Sequence, residues 1–344
     1  MRRVLAALAI AIAAHAASPV RAAIDRPVAA DRIWFSPGPG TLDLIRLFEQ
    51  PGEWRRARTL TSVFKFYQQH TQTPAPDIVG PNTYDALARS GAFRTLKQWG
   101  MRIALEAGAV KDFYCTADAS GMNAAIGNTL ASLRAVDAAG GTVAYVAMDE
   151  PFVAGRASVC GGPALEPTAD RVAQYVAAVT AAFPSVRIGL IEAYPFSGAA
   201  AIESIVALLD ARAARPAFLH MDVDWHFSGG AAFERDMVRL QAFCASRRIP
   251  FGVIIWGYDG NADALYAADA YGITELIAGT FNTWDRMPDH LIFQSWATSA
   301  TGLSIAPSNL PEDRPFTHTA MLRDIYRRLR GALGPSTGKA VIRR

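Results

Sequence analysis

The sequence predicts a single-domain (β/α)8 barrel, and three observations lead to that expectation. Short apolar runs alternate with longer amphipathic ones along the chain, as repeated βα units of a parallel sheet require. Eight short runs occur, and eight right-handed βα crossovers close a sheet without leaving an edge. Beyond the amino-terminal segment described below, roughly 320 residues remain, a length that suits one α/β barrel.

The expected strands are Ile33–Ser36, Ser62–Tyr67, Arg102–Glu106, Thr142–Met148, Arg187–Glu192, Ala217–Asp222, Phe251–Trp256 and Leu291–Trp296. Between them, Asn123–Ala139, Thr168–Phe183, Ala199–Ala211 and Ala231–Arg247 space their apolar residues by three and four, as helices do. A last amphipathic stretch, Thr317–Leu333, completes the ring. An open doubly wound sheet is the competing architecture. The turn after the first strand, Ser36-Pro37-Gly38-Pro39-Gly40, argues against it, because proline removes the amide donors that a phosphate loop needs.

The amino terminus sets the expected compartment. Arg2 and Arg3 precede an apolar run from Val4 to Ala14, followed by small residues with possible cuts after Ala16 or Ala22. That pattern is a secretory signal peptide, and the run falls short of the ~20 residues needed to span a bilayer. The expected organisation is a signal peptide over 1–22, the barrel over 23–333 and a flexible tail over 334–344, in a secreted or periplasmic monomer with no membrane span once the signal is removed. The formal net charge is +3, and Arg2, Arg3 and Arg21 belong to the signal, which leaves the remainder formally neutral. A basic groove for nucleic acid is not supported.

Three cysteines are too few for a disulfide scaffold, but export permits one bond. Cys115 and Cys160 fall in loops after the third and fourth strands, which neighbour one another, so a bridge between them is expected. Cys244, in a helical pattern, reads as a buried free thiol. No metal or cofactor is expected.

Strands of a parallel barrel are buried on both faces and should be apolar, so ionisable residues at their carboxyl ends stand out, at the face where such barrels carry active sites. The fourth strand runs Ala144-Tyr145-Val146-Ala147-Met148-Asp149-Glu150-Pro151-Phe152. Glycosidic cleavage needs a carboxylic acid of raised pKa, and apolar neighbours together with the adjacent Asp149 would supply the rise at Glu150. In Phe218-Leu219-His220-Met221-Asp222-Val223-Asp224-Trp225-His226, alternation puts His220, Asp222 and Asp224 on one side, expected to face the lumen. Glu192 ends the fifth strand as a further candidate catalyst or hydroxyl acceptor. Lys65 and Glu106, on adjacent strands, are candidates for substrate contact or for a buried pair.

Asp149-Glu150-Pro151 resembles the Asn-Glu-Pro signature that ends strand four in the large clan of retaining (β/α)8 glycoside hydrolases. The resemblance implies that Glu150 is the general acid/base. That clan places a nucleophilic glutamate at the end of strand seven; here Phe251-Gly252-Val253-Ile254-Ile255-Trp256-Gly257-Tyr258-Asp259 has Trp256 near that place and no glutamate. The nucleophile's role is therefore not carried over. The adjacent acid pair also resembles hexosaminidase-type barrels, in which the substrate's acetamido group is the nucleophile, with Asp149 orienting it.

Trp225, Trp256, Trp284 and Trp296 fall at or beyond strand ends, where indoles would stack on sugar rings while Gln294 and Asp259 bind hydroxyls. The expected function is an exported glycoside hydrolase, with Glu150, Asp222, Asp224 and Glu192 as catalytic candidates. Substrate contacts are expected from Asp149, Lys65, Glu106, Trp225, Trp256, Asp259, Gln294 and Trp296. One alternative is a non-catalytic carbohydrate-binding barrel that has lost the usual nucleophile. Another is a metal-dependent hydrolase built on His220, Asp222, Asp224 and His226.

Overall fold

Eight parallel strands close on themselves in chain order, β1 next to β2 and so on round to β8, which pairs back to β1. The computed structural model describes residues 32–226, 230–283, 286–296 and 306–332. The expected signal peptide, the expected tail and Trp284 lie outside the described residues. The strands are β1 Ile33–Ser36, β2 Val63–Tyr67, β3 Arg102–Ala107, β4 Val143–Asp149, β5 Arg187–Tyr194, β6 Leu219–Val223, β7 Phe251–Ile255 and β8 His290–Gln294. Each expected strand is present, with ends shifted by a residue or two. Trp256 and Trp296 stand just past β7 and β8 rather than inside them.

The outer ring includes helices Ser120–Ala138, Leu165–Ala182, Ala199–Asp210, Gly230–Ser246, Asp263–Phe281 and His318–Ala332. The first of these begins earlier than the apolar spacing suggested; just ahead of it, Asp118 Oδ1 accepts from the Ser120 backbone N–H (2.9 Å). Among the described residues, no helix is long and apolar enough to cross a membrane.

Strand pairing sorts the inward side chains from the outward ones. Aligned partners run Trp34↔Val63, Lys65↔Ala104, Ala104↔Tyr145, Tyr145↔Arg187, Ile191↔His220, His220↔Gly252 and Gly252↔His290, ending at Ile292↔Trp34. This set faces the lumen. Its lower layer is aromatic. Trp34 lies 5.0 Å from Tyr145, 5.3 Å from Phe218 and 4.7 Å from His220, centroid to centroid. Glycine makes the layer possible, since a Cβ at Gly189 would come within 2.3 Å of the Phe218 ring and one at Gly252 within 2.7 Å of His220. The lumen is thus filled below.

The loops after β3 and β4 are joined by a Cys115–Cys160 disulfide, with Cα atoms 5.0 Å apart. Cys244 is free and buried.

Candidate active site

Above the aromatic layer, Lys65 (β2), Glu106 (β3) and Gln294 (β8) are joined by hydrogen bonds. The Lys65 ammonium donates to the Glu106 carboxylate and to the Gln294 amide oxygen, and Gln294 Nε2 donates to Glu106 Oε2 at 3.1 Å. All three are buried. Burial raises the Glu106 pKa against the opposing pull of Lys65. Lys65 and Glu106 form the buried pair anticipated for adjacent strands. Together with Gln294 they satisfy one another's polar groups.

At the end of β4 the chain places Asp149 inward, aligned with Ile191, and then turns sharply. Glu150 has φ 47° and ψ 45°, the left-handed region that residues other than glycine seldom occupy. Its backbone N–H is held by Ile191 O at 3.1 Å, and Pro151 starts a short helix, Pro151–Ala154. Strain of this kind clusters at functional sites, where surrounding structure imposes it.

Lys111, in the loop after β3, reaches both acids: Nζ lies 3.0 Å from Asp149 Oδ2 and 3.5 Å from Glu150 Oε2. Glu150 is partly buried. Desolvation, followed by the Asp149 charge, raises its pKa above the ordinary range despite Lys111. Burial works against the Lys111 ammonium, but the Asp149 and Glu150 charges outweigh it and raise its pKa. Sequence reasoning did not single out Lys111. A lone lysine in a loop carries no pattern, and only the fold brings it to the carboxylates.

Asp222 faces the lumen from β6, aligned with Ala193, as alternation foretold. Burial, then the Glu150, Asp149 and Glu106 charges, hold its carboxyl well above the usual range. Asp224 follows the strand; its Oδ1 accepts from the His226 backbone N–H (3.1 Å) and lies 3.3 Å from His226 Nδ1.

Glu192 is brought elsewhere. It aligns with Met221, the neighbour of the inward Asp222, so it faces the helices and not the lumen. Its Oε1 accepts from the Phe152 backbone N–H at 2.9 Å. Full burial pushes its pKa up to about 8. The expectation that Glu192 meets the substrate does not fit this placement. The acid was read from its position at a strand end, but parity along β5 turns it outward.

Trp256 and Trp296 form a tilted pair with centroids 4.5 Å apart, and Trp256 Nε1 donates to Val223 O at 3.0 Å. They lie on the β7–β8 side, across the mouth from β4. Trp225 packs on Phe233 at 5.4 Å and is largely buried. Asp259 caps its own turn, with Oδ1 accepting from the Asn261 backbone N–H at 2.9 Å.

His220 and His226 do not share one site. His220 Nε2 is 2.9 Å from His290 Nδ1 in the aromatic layer, whereas His226 lies beside Asp224 and packs at a tilt on Tyr258, centroids 4.1 Å apart. Among the described residues, no group of three or more His, Cys, Asp or Glu is placed to hold a metal ion.

No family model matches the chain, and no curated protein matches it. Solved structures do. The chain is similar to the intracellular xylanase of Thermoanaerobacterium saccharolyticum in complex with xylotriose, at TM-score 0.52 and 12% identity over 84% of this chain and 94% of that one. It is also similar to a thermostable mutant xylanase from Cellvibrio japonicus (TM-score 0.55, 10% identity, 88% and 97%) and to a glucosidase from Croceicoccus marinus (TM-score 0.50, 13% identity, 87% and 67%). What they share is the fold. At these identities the likeness establishes a (β/α)8 barrel, and residue roles rest on the site itself.

Proposed function

We propose that this protein is an exported glycoside hydrolase that cleaves O-glycosidic bonds of an oligo- or polysaccharide, with Glu150 as proton donor. The observation that carries the reading is Glu150 itself: a partly buried carboxyl of raised pKa, in a strained backbone at the end of β4, beside Asp149 and Lys111. A protonated Glu150 gives its proton to the leaving glycosidic oxygen as the anomeric C–O bond breaks. As that bond breaks, Asp222 on β6 or Asp224 just beyond it acts in ionised form. It either takes a proton from an attacking water, or itself attacks the anomeric carbon to give a glycosyl ester that water then hydrolyses. Either route leaves a hydroxyl on the anomeric carbon. A carboxyl separation of about 5–5.5 Å gives retention and roughly 6.5–9.5 Å inversion. Trp256 and Trp296 offer the apolar faces on which sugar rings pack.

The test compares wild type with Glu150→Gln on a panel of polysaccharides. The expected result is a loss of cleavage by about 100-fold or more, as removal of a general acid gives, with binding retained. A wild type that binds but cleaves nothing would favour the second reading, a non-catalytic carbohydrate-binding barrel. The feature that supports that reading is Trp256, fixed through Val223 O where the resembling clan has its nucleophile. Export is read from residues 1–22, and amino-terminal sequencing of the periplasmic or secreted protein tests it.

A further inference from the structure

Two exposed aromatic rings stand at the rim of the mouth, on opposite sides of it. Phe113 follows β3 and Tyr258 follows β7. In a closed ring of eight strands taken in chain order, β3 and β7 face one another across the lumen. Phe113 is 68% exposed and Tyr258 42%. Single apolar side chains at a surface are common, but each of these rings is held in place and leads back to a candidate acid.

Phe113 lies against the end of β3. A Cβ at Gly108, the residue after the strand, would come 3.0 Å from Phe113 Cζ and 3.5 Å from Lys111 Cγ, so a side chain there would crowd both. Tyr114 backs the ring, with centroids 4.5 Å apart, and its hydroxyl accepts from Asn128 Nδ2 at 2.8 Å. From beside Phe113, Lys111 extends its ammonium to Asp149 and Glu150.

The other side is built in the same way. Tyr258 packs on His226, with centroids 4.1 Å apart, and its backbone N–H donates to Asp269 Oδ2 at 3.1 Å. His226 Nδ1 lies 3.3 Å from Asp224 Oδ1. Across the mouth the order is therefore Phe113, Lys111 with Glu150, then Asp224, His226 and Tyr258. The aromatic faces are outermost and the carboxyls lie between them.

Resting on the glycosidase reading above, we propose that the mouth receives an internal stretch of a long glycan chain, with sugar rings packed on Phe113 at one side and on Tyr258 at the other, so that cleavage falls within the chain. A site for chain ends needs sugar-binding surface mainly on one side of its acids. Here such surface lies on both. Exposed aromatic rings suit the apolar C–H faces of sugars, and rings already fixed lose little freedom when a ligand covers them.

The experiment has two arms. Full-length Glu150→Gln protein is titrated by calorimetry with the disaccharide and the hexasaccharide of the xylan, cellulose, mannan and chitosan series. Wild type is then incubated with each hexasaccharide and its products are sized. In the series that binds best, the hexasaccharide should bind about tenfold or more tighter than the disaccharide. Adding Phe113→Ala or Tyr258→Ala should each weaken hexasaccharide binding about fivefold or more, the effect of uncovering an aromatic contact. A disaccharide reaches at most one of the two rings, so at most one variant should affect it. Unfolding midpoints should stay at the parent value, because both rings are at the surface. Wild type should cut the hexasaccharide at internal linkages.

Equal affinity for the two lengths, or release of single sugars from chain ends alone, overturns the internal-chain assignment and leaves the glycosidase reading standing. Hexasaccharide binding that neither variant weakens overturns the roles of Phe113 and Tyr258. Length-dependent binding that both variants weaken, with no cleavage by wild type, supports the chain path and overturns the glycosidase reading. Failure of every oligomer to bind overturns both.

Discussion

The carboxylate of Glu192 accepts a hydrogen bond of 2.9 Å from the backbone N–H of Phe152, two residues beyond Glu150. Its other oxygen, Oε2, is buried without a hydrogen-bond partner among the described residues. An acid on the helix side of β5 thereby ties down the turn that aims Glu150 into the mouth. Glu192→Gln keeps an acceptor for Phe152 and should preserve the turn. Glu192→Leu leaves a buried N–H unpaired and should cost about 1–3 kcal/mol in denaturant unfolding. The sign of the pH effect follows from the raised pKa. The unfolded carboxyl ionises near 4.5 while the folded one holds its proton to about 8. The associated stability is therefore full below 4.5, falls as pH rises through that window, and levels off above it. Unfolding midpoints measured from pH 4 to 9 (about half a unit apart) should show this decline in wild type and a flatter profile in Glu192→Gln.

Lys111 stabilises the ionised form of Glu150 and so limits how far its pKa rises. Replacing it by methionine keeps the apolar stem and removes the charge. The alkaline limb of the pH dependence of kcat/KM, which reports loss of the donor proton, should then move to higher pH. A profile that stays in place would separate Lys111 from the donor.

The Cys115–Cys160 bridge closes a long loop between the segments that carry Lys111 and Glu150. The double variant Cys115→Ser, Cys160→Ser should lose about 2–4 kcal/mol of stability. Because both halves of the site depend on those loops, activity should fall before the global transition. Parallel measurement of circular dichroism and turnover against denaturant checks this.

Gly189→Ala tests the aromatic layer. The added methyl would meet the Phe218 ring at 2.3 Å, and overpacking of this kind costs about 1–3 kcal/mol. The effect should appear as a lowered melting temperature with little change in KM, since the layer lies below the mouth.

Much of this architecture was legible in the chain because its strands are short, apolar and separated by amphipathic stretches of similar length. The lumen-facing set on β6 was legible as well, because polar residues fall at every second position there and only one face can accept them. On β5 the same reasoning had no purchase. Gly189, Ile191 and Ala193 are no more polar than Leu190, so nothing along the strand says which parity is inward, and Glu192 was placed by its strand-end position alone. Lys111 was invisible for a different reason: a single loop lysine acquires meaning only from what the fold sets beside it. Cys115 and Cys160 were readable because consecutive strands of a barrel are neighbours, which turns sequence order into distance.

The backbone at Glu150 carries one more implication. A left-handed conformation costs a residue with a Cβ of order 1 kcal/mol, and glycine or asparagine would bear it more easily. Glu150→Gly and Glu150→Asn should therefore yield proteins that melt later than wild type while losing the carboxyl proposed as proton donor. Under the glycosidase reading, durability and turnover are opposed at this position: the fold gives up stability at residue 150 to hold an acid at the mouth.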